Sequence, residues 1–124
     1  MSIFVNESTF KSIVLDSDLP VLAHFWAPWC SLCKMIMPLL NQFQADWEGQ
    51  VRLVDINADE NLRLANTYRL STLPTLLLLD QGEVRQRLDT FRGKEDLRLT
   101  LDTFMQSQAL VYEELQPVRI YPKF

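Results

Sequence analysis

Two runs, Val21–Trp26 and Thr75–Leu79, constrain the fold of this chain more than any other feature. His24 apart, apolar residues dominate both, without the alternation that a half-exposed strand shows. A strand of that kind is buried on both faces, as in a sheet with helices on either side. The rest of the chain can supply such helices. Ile36, Leu39, Leu40, Phe43 and Trp47 recur at helical spacing, and so do Leu97, Leu101, Phe104 and Met105.

Taken in order, Ile3–Val5 is a short strand candidate, followed by a helix capped by Asn6 or Ser8 and running through about Leu15. Asp16-Ser17-Asp18-Leu19-Pro20 is turn chemistry, because Asx side chains bond their own backbone and Pro fixes φ. The long helix after Val21–Trp26 is interrupted at Pro38, which has no N–H for the Lys34 carbonyl and should kink it; Gly49 ends it. Val51–Ile56 is the next strand. Residues 57–61 form a loop and cap, and Leu62–Tyr68 a short helix with Leu62, Leu64 and Ala65 inward. The turn Asp80-Gln81-Gly82-Glu83 folds Val84–Leu88 back on Thr75–Leu79 as an antiparallel hairpin. A last helix follows Gly93, from Lys94 to about Leu110 or beyond, and Val118–Tyr121 is a short extended piece after Pro117. Alternating strands and helices demand parallel pairing with right-handed crossovers in the first part. The expected class is α/β: a central mixed sheet of about five strands with helices on both faces.

The size and composition suit one domain: 124 residues, 48% of them hydrophobic, can bury a real core. Three glycines and six prolines are too few for a low-complexity chain. No apolar run approaches the ~18 residues of a membrane span. Met1–Glu7 has no basic segment leading into a long apolar one, so a cytoplasmic location is expected. A net charge of −4 with scattered Lys and Arg speaks against nucleic acid. The composition holds two cysteines, too few for a disulfide scaffold, and one histidine, His24, too few for a structural zinc set.

Both cysteines lie in Trp29-Cys30-Ser31-Leu32-Cys33-Lys34, between the first apolar run and the long helix. A sulfur at a helix N-terminus faces unpaired N–H groups and the positive end of the helix dipole, which favour the thiolate. Cys30 is therefore the expected nucleophile. Cys33, one turn in, would resolve the mixed disulfide. The bland alternative is a pair of small buried thiols or half a metal site.

Trp26-Ala27-Pro28-Trp29-Cys30-x-x-Cys33-Lys34, Pro38 and Thr72-Leu73-Pro74-Thr75 resemble the thioredoxin family, over about Ile3 to Gln106. The resemblance implies a thioredoxin fold and a thiol–disulfide oxidoreductase that reduces protein disulfides. It implies a thioredoxin reductase as electron donor and no tightly bound cofactor. It also implies a cis Leu73–Pro74 bond facing Cys30, with Leu73 offering its backbone to an extended substrate. Trp29, Thr72, Leu73, Pro74 and Thr90 are the expected substrate-binding residues. A monomer is expected. Residues 1–106 would form the thioredoxin-like domain, and residues 107–124 an extension of the last helix plus a tail in the same domain.

The sequence departs from the family pattern at several places. Ser31-Leu32 replaces the usual Gly-Pro between the cysteines; without proline, the N–H of residue 32 is free to point at Cys30 sulfur. More donors there favour the reduced form, so a less reducing potential is expected. His24 replaces a buried Asp thought to help deprotonate the second cysteine, and could take that proton itself; a core histidine bonded to a carbonyl is the alternative. Asp55 stands where a lysine often lies, and Thr72 and Thr90 replace glycines beside the groove. Trp26 is expected to pack in the core, and Asp59 and Glu60 to be solvated surface. Two other functions compete: an adaptor module on the same fold, and a more oxidising disulfide-exchange protein. Intact Cys30, Cys33 and Pro74 count against the adaptor.

Overall fold

Residues 2–114 are described by a computed structural model, with side chains as far as Gln108. The expected extended piece Val118–Tyr121 lies outside the described residues. The chain divides into two compact units, one ending at Phe91 and one beginning at Arg92.

The first unit is built on a mixed sheet in the order β1-β3-β2-β4-β5, comprising β1 (Ile3–Phe4), β2 (Val21–Trp26), β3 (Arg52–Asn57), β4 (Thr75–Asp80) and β5 (Glu83–Leu88). β1, β3 and β2 run parallel; β4 and β5 are antiparallel to their neighbours. The two apolar runs are thus adjacent central strands, as their lack of alternation requires. The helices of this unit are α1 (Ser31–Asp46) and α2 (Leu62–Thr67).

Strand alternation sorts the core into two sides. Val21, Ala23 and Phe25 of β2, Val54 and Ile56 of β3, and Leu77 and Leu79 of β4 share one cluster with Phe10, Val14 and Leu64. The N-terminal helical turn and α2 therefore cover that face. Leu22, His24, Leu53, Asp55, Leu76 and Leu78 alternate to the other face, where α1 packs with its buried Ile36, Leu40 and Phe43.

The N-terminal segment is less regular than expected. Asn6 closes the turn that precedes the helical residues, its Oδ1 accepting from the N–H groups of Ser8 at 2.9 Å and Thr9 at 3.1 Å, while the N-cap position itself is Phe10, without a side-chain cap. Lys11–Leu15 is a π-helical turn, in which the Asp16 N–H reaches the Lys11 carbonyl at 2.9 Å. Glu7 ties this segment to α2, its Oε2 accepting from the N–H groups of Arg63 at 2.7 Å and Leu64 at 3.3 Å. A carboxylate there satisfies donors that a helix start leaves open. Within α2 the expected inward set is corrected. Leu62 is 64% exposed, whereas Leu64 is buried. Two residues apart on a helix means roughly 200° of rotation, so both cannot face the core.

The β4–β5 hairpin turns at Gln81 and Gly82, whose φ values are 56° and 79°. Positive φ at both central positions is the turn that matches strand twist. Gly82 is needed twice over, since a Cβ there would meet the Leu15 carbonyl oxygen at 3.2 Å.

Tyr68 packs against Phe10 and Phe25, with ring centroids 5.7 and 6.2 Å apart. Burial pushes its phenol above the usual tyrosine range. Folding favours the neutral ring, so its contribution is full below pH ~10 and is lost as pH rises through the shifted value. In a tyrosinate absorbance titration, Tyr68→Phe is expected to remove a step lying above the ordinary phenol range. An unchanged titration curve would contradict this.

In the second unit, α3 (Gly93–Glu114) begins a residue before Lys94 and runs past Leu110. Its expected apolar face, Leu97, Leu101, Phe104 and Met105, is buried.

Candidate active site

The topology brings four segments to one end of the sheet. β2 ends at Trp26, and β3, parallel to it, ends beside it at Asn57. β4 begins at Thr75 opposite Phe25, and β5 ends at Leu88 opposite Leu76. The connections 27–30, 58–61 and 72–74 and the exit 89–90 therefore converge at this end. Every residue expected to touch substrate lies in them.

Cys30 and Cys33 form a disulfide, with Cα atoms 5.3 Å apart. The Cys30 N–H donates to the Ala27 carbonyl at 3.0 Å, which closes the loop and places Cys30 at the N-cap of α1. Its sulfur accepts from the Cys33 N–H at 3.1 Å. A sulfur thus takes the place of the oxygen that usually caps a helix. The donor reaching Cys30 Sγ is Cys33 N–H rather than the expected Leu32 N–H. Cys33 is fully buried, while Cys30 keeps 5% of its surface. α1 continues through Pro38 as one helix.

The rim is apolar and open. Trp29 is 67% exposed, and its indole Nε1 donates to Asp59 Oδ2 at 2.8 Å. Asp59 is surface, as expected, but it holds the tryptophan that flanks Cys30. Leu32 is exposed as well. Leu73–Pro74 is cis, as the family resemblance implies. Pro74 is buried, Leu73 packs against the core cluster and Thr72 is exposed. The Thr72 carbonyl accepts from the Thr75 hydroxyl at 2.7 Å. Thr90 is exposed just beyond β5.

Beneath this rim lies a pair that sequence reasoning did not assemble. His24 Nδ1 and Asp55 Oδ1 are 3.0 Å apart, and both residues are buried. Register explains the contact. His24 is the direct β2 partner of Asp55 on β3, and both side chains alternate to the α1 face. The other ring nitrogen, Nε2, is buried with no hydrogen-bond partner among the described residues. A backbone carbonyl partner, the alternative reading of His24, is absent there. Trp26, expected in the core, is half-buried with its Nε1 enclosed and unpartnered among the described residues. No group of acidic, cysteine and histidine side chains suited to a metal occurs among the described residues. No helix described is long and apolar enough to cross a membrane.

A capped dithiol at a helix start, at the same end of the sheet as a cis proline, can pass two protons and two electrons to another disulfide. Comparison with known proteins agrees. The Thioredoxin family model matches residues 1–103. Thioredoxin 1 of Nostoc sp. is 44% identical over 101 residues, covering 79% of this chain and 92% of that protein. Thioredoxin of Synechocystis sp. is 40% identical over 104 residues, covering 82% and 94%. Thioredoxin M4 of Arabidopsis thaliana chloroplasts is 36% identical over 101 residues, covering 82% of this chain and 52% of that protein. With the matched family spanning the sheet, the cysteine pair and the cis proline, this chain belongs to the thioredoxin family of thiol–disulfide oxidoreductases.

Proposed function

We propose that the protein reduces disulfides of other proteins, with Cys30 as nucleophile and Cys33 as resolving thiol. The observation that carries this assignment is the position of the Cys30 sulfur, which caps α1 and takes the Cys33 N–H. The same donors that cap the sulfur stabilise a thiolate there. Cys30 attacks one sulfur of the partner's disulfide, and the other leaves as a thiolate. Cys33 then attacks Cys30, forming the Cys30–Cys33 bond and releasing the partner's second thiol. Two electrons pass to the partner. A thioredoxin reductase returns them.

The exposed faces of Trp29 and Thr72, the backbone of Leu73 beside Pro74, and Thr90 form the docking edge for an extended segment of the partner. The protein acts as a monomer in a reducing compartment, the cytoplasm, where a dithiol of this kind is kept supplied with electrons. His24 accepts the Cys33 proton during resolution, for it is buried under the same end of the sheet with one ring nitrogen unpartnered among the described residues. Turnover of a protein disulfide with dithiothreitol as donor tests the assignment. An adaptor would add nothing to the rate of dithiothreitol alone.

In the disulfide the Cys33 N–H, not that of Leu32, reaches the Cys30 sulfur, so a more oxidising protein requires the Leu32 N–H, which the usual proline lacks, to turn to the thiolate on reduction. The potential is expected to be less negative than the about −270 mV of thioredoxin. Equilibration with a glutathione redox buffer, read by alkylation of Cys30 and Cys33, measures it. A value equal to or below that figure would overturn the expectation.

A further inference from the structure

His24 and Asp55 reverse an arrangement in which an acid stands on β2 and a base on β3. Here the base is on β2 and the acid on β3, and the two meet at 3.0 Å. A carboxylate at Asp55 can only accept a hydrogen bond. Nδ1 of His24 must then carry the hydrogen, and Nε2 keeps its lone pair. That lone pair is buried without a partner among the described residues. Buried acceptors in folded proteins are nearly always hydrogen-bonded, because leaving one unsatisfied forfeits its hydration with nothing in return.

Asp55 has a second neighbour. It borders a cavity of about 290 Å³ lined also by Phe4, Asn6, Trp26, Asn57 and Glu60. Phe4, Asn6 and Glu60 are exposed, so this cavity opens to solvent, and its polar lining admits water. Asp55 thus has an imidazole against its carboxylate and borders a space open to solvent. Such a place spares a buried charge much of its desolvation cost.

We propose that Asp55 is the positioning residue for His24. It fixes the tautomer that leaves Nε2 basic, and it compensates the imidazolium that forms when His24 takes the Cys33 proton. This rests on the reading of His24 as proton acceptor. In the step itself the Cys33 S–H bond breaks and the proton passes to Nε2, directly or through water. The sulfur's electron pair forms the Cys30–Cys33 bond, and the pair of the Cys30–partner bond leaves on the partner's thiolate. That thiolate, or solvent, later takes the proton from His24. Asp55 never touches a reacting sulfur.

The test has two parts. His24 is the one histidine in the sequence, so its ring nitrogens are unambiguous in nitrogen-15 NMR. The reduced wild-type protein is expected to show hydrogen on Nδ1; hydrogen on Nε2 in the neutral ring overturns the proposal. Second, reduced protein is mixed with a protein disulfide, quenched with acid and alkylated, so that formation and resolution of the mixed disulfide are timed separately. His24→Ala is expected to slow resolution by roughly 100-fold and leave formation unchanged. Asp55→Leu slows resolution by roughly ten-fold or more, and Asp55→Asn by less, because its amide oxygen still accepts from Nδ1. The double variant His24→Ala/Asp55→Leu is no slower than His24→Ala alone. If Asp55→Leu adds its full effect in the absence of His24, its role is structural and the proposal fails. A slow His24→Ala beside an unaffected Asp55→Leu also defeats it, while the acceptor role of His24 stands. A His24→Ala protein resolving at the wild-type rate removes both.

Discussion

Cys30→Ser is expected to reduce protein-disulfide turnover to the rate of the electron donor alone, whereas Cys33→Ser should trap its substrate. The difference follows from burial and position. Cys30 caps α1 and keeps some exposed surface; Cys33 is fully buried one turn further in. A serine hydroxyl at position 30 is not a thiolate nucleophile, and the remaining thiol at Cys33 cannot reach an incoming disulfide. With Cys33→Ser the first attack still occurs, but nothing inside the protein can release the partner. The mixed disulfide should accumulate to about one partner per protein, visible as a combined mass that dithiothreitol reverses. Trapping by Cys30→Ser instead, or by both variants equally, would reverse the assigned roles. Undiminished turnover in either variant would remove the dithiol mechanism altogether.

The sequence made the strands, the dithiol and the cis proline legible for different reasons. Val21–Trp26 and Thr75–Leu79 could be read because a strand buried on both faces leaves a composition that little else produces. The cysteines and Leu73–Pro74 could be read because chemistry and family resemblance fix them locally. The His24–Asp55 pair could not, although both residues stood out singly as departures from the family pattern. Periodicity tells which face a residue takes, but not which residue lies beside it on the next strand. That depends on register, here Val21 against Arg52, which places His24 beside Asp55. A signal was present: two neighbouring sites had exchanged an acid and a base. The anchoring of Trp29 by Asp59 was hidden in the same way. It arises because parallel β2 and β3 end together, so that the loop after one meets the turn after the other. Leu62 is apolar yet exposed because roughly 200° of helix separates it from buried Leu64, an angle that apolar character alone does not reveal.

Phe25→Ala is expected to be the most destabilising single truncation near the site, at about 3–5 kcal/mol. Phe25 is fully buried on the central strand β2, within the cluster formed with α2 and the N-terminal turn, and it packs against Tyr68. Its neighbour His24 projects to the opposite face. Removing the ring leaves a cavity between the sheet and the elements that cover this face, and close packing there recovers few of the lost contacts. The cost is a large share of the ~5–15 kcal/mol that holds a domain of this kind together. Thermal or urea unfolding should therefore show a Tm lower by roughly 10–20 °C. The chemistry should respond differently. At a temperature where the variant is folded, formation and resolution of the mixed disulfide are expected to stay within about two-fold of wild type. Alternation along one strand would then separate two tasks, with stability resting on the Phe25 face and the proposed proton transfer on the His24 face. A folded Phe25→Ala protein with resolution slowed as much as in His24→Ala would show that the two faces are coupled through β2. The stability of the cluster would then be part of the redox mechanism rather than its support.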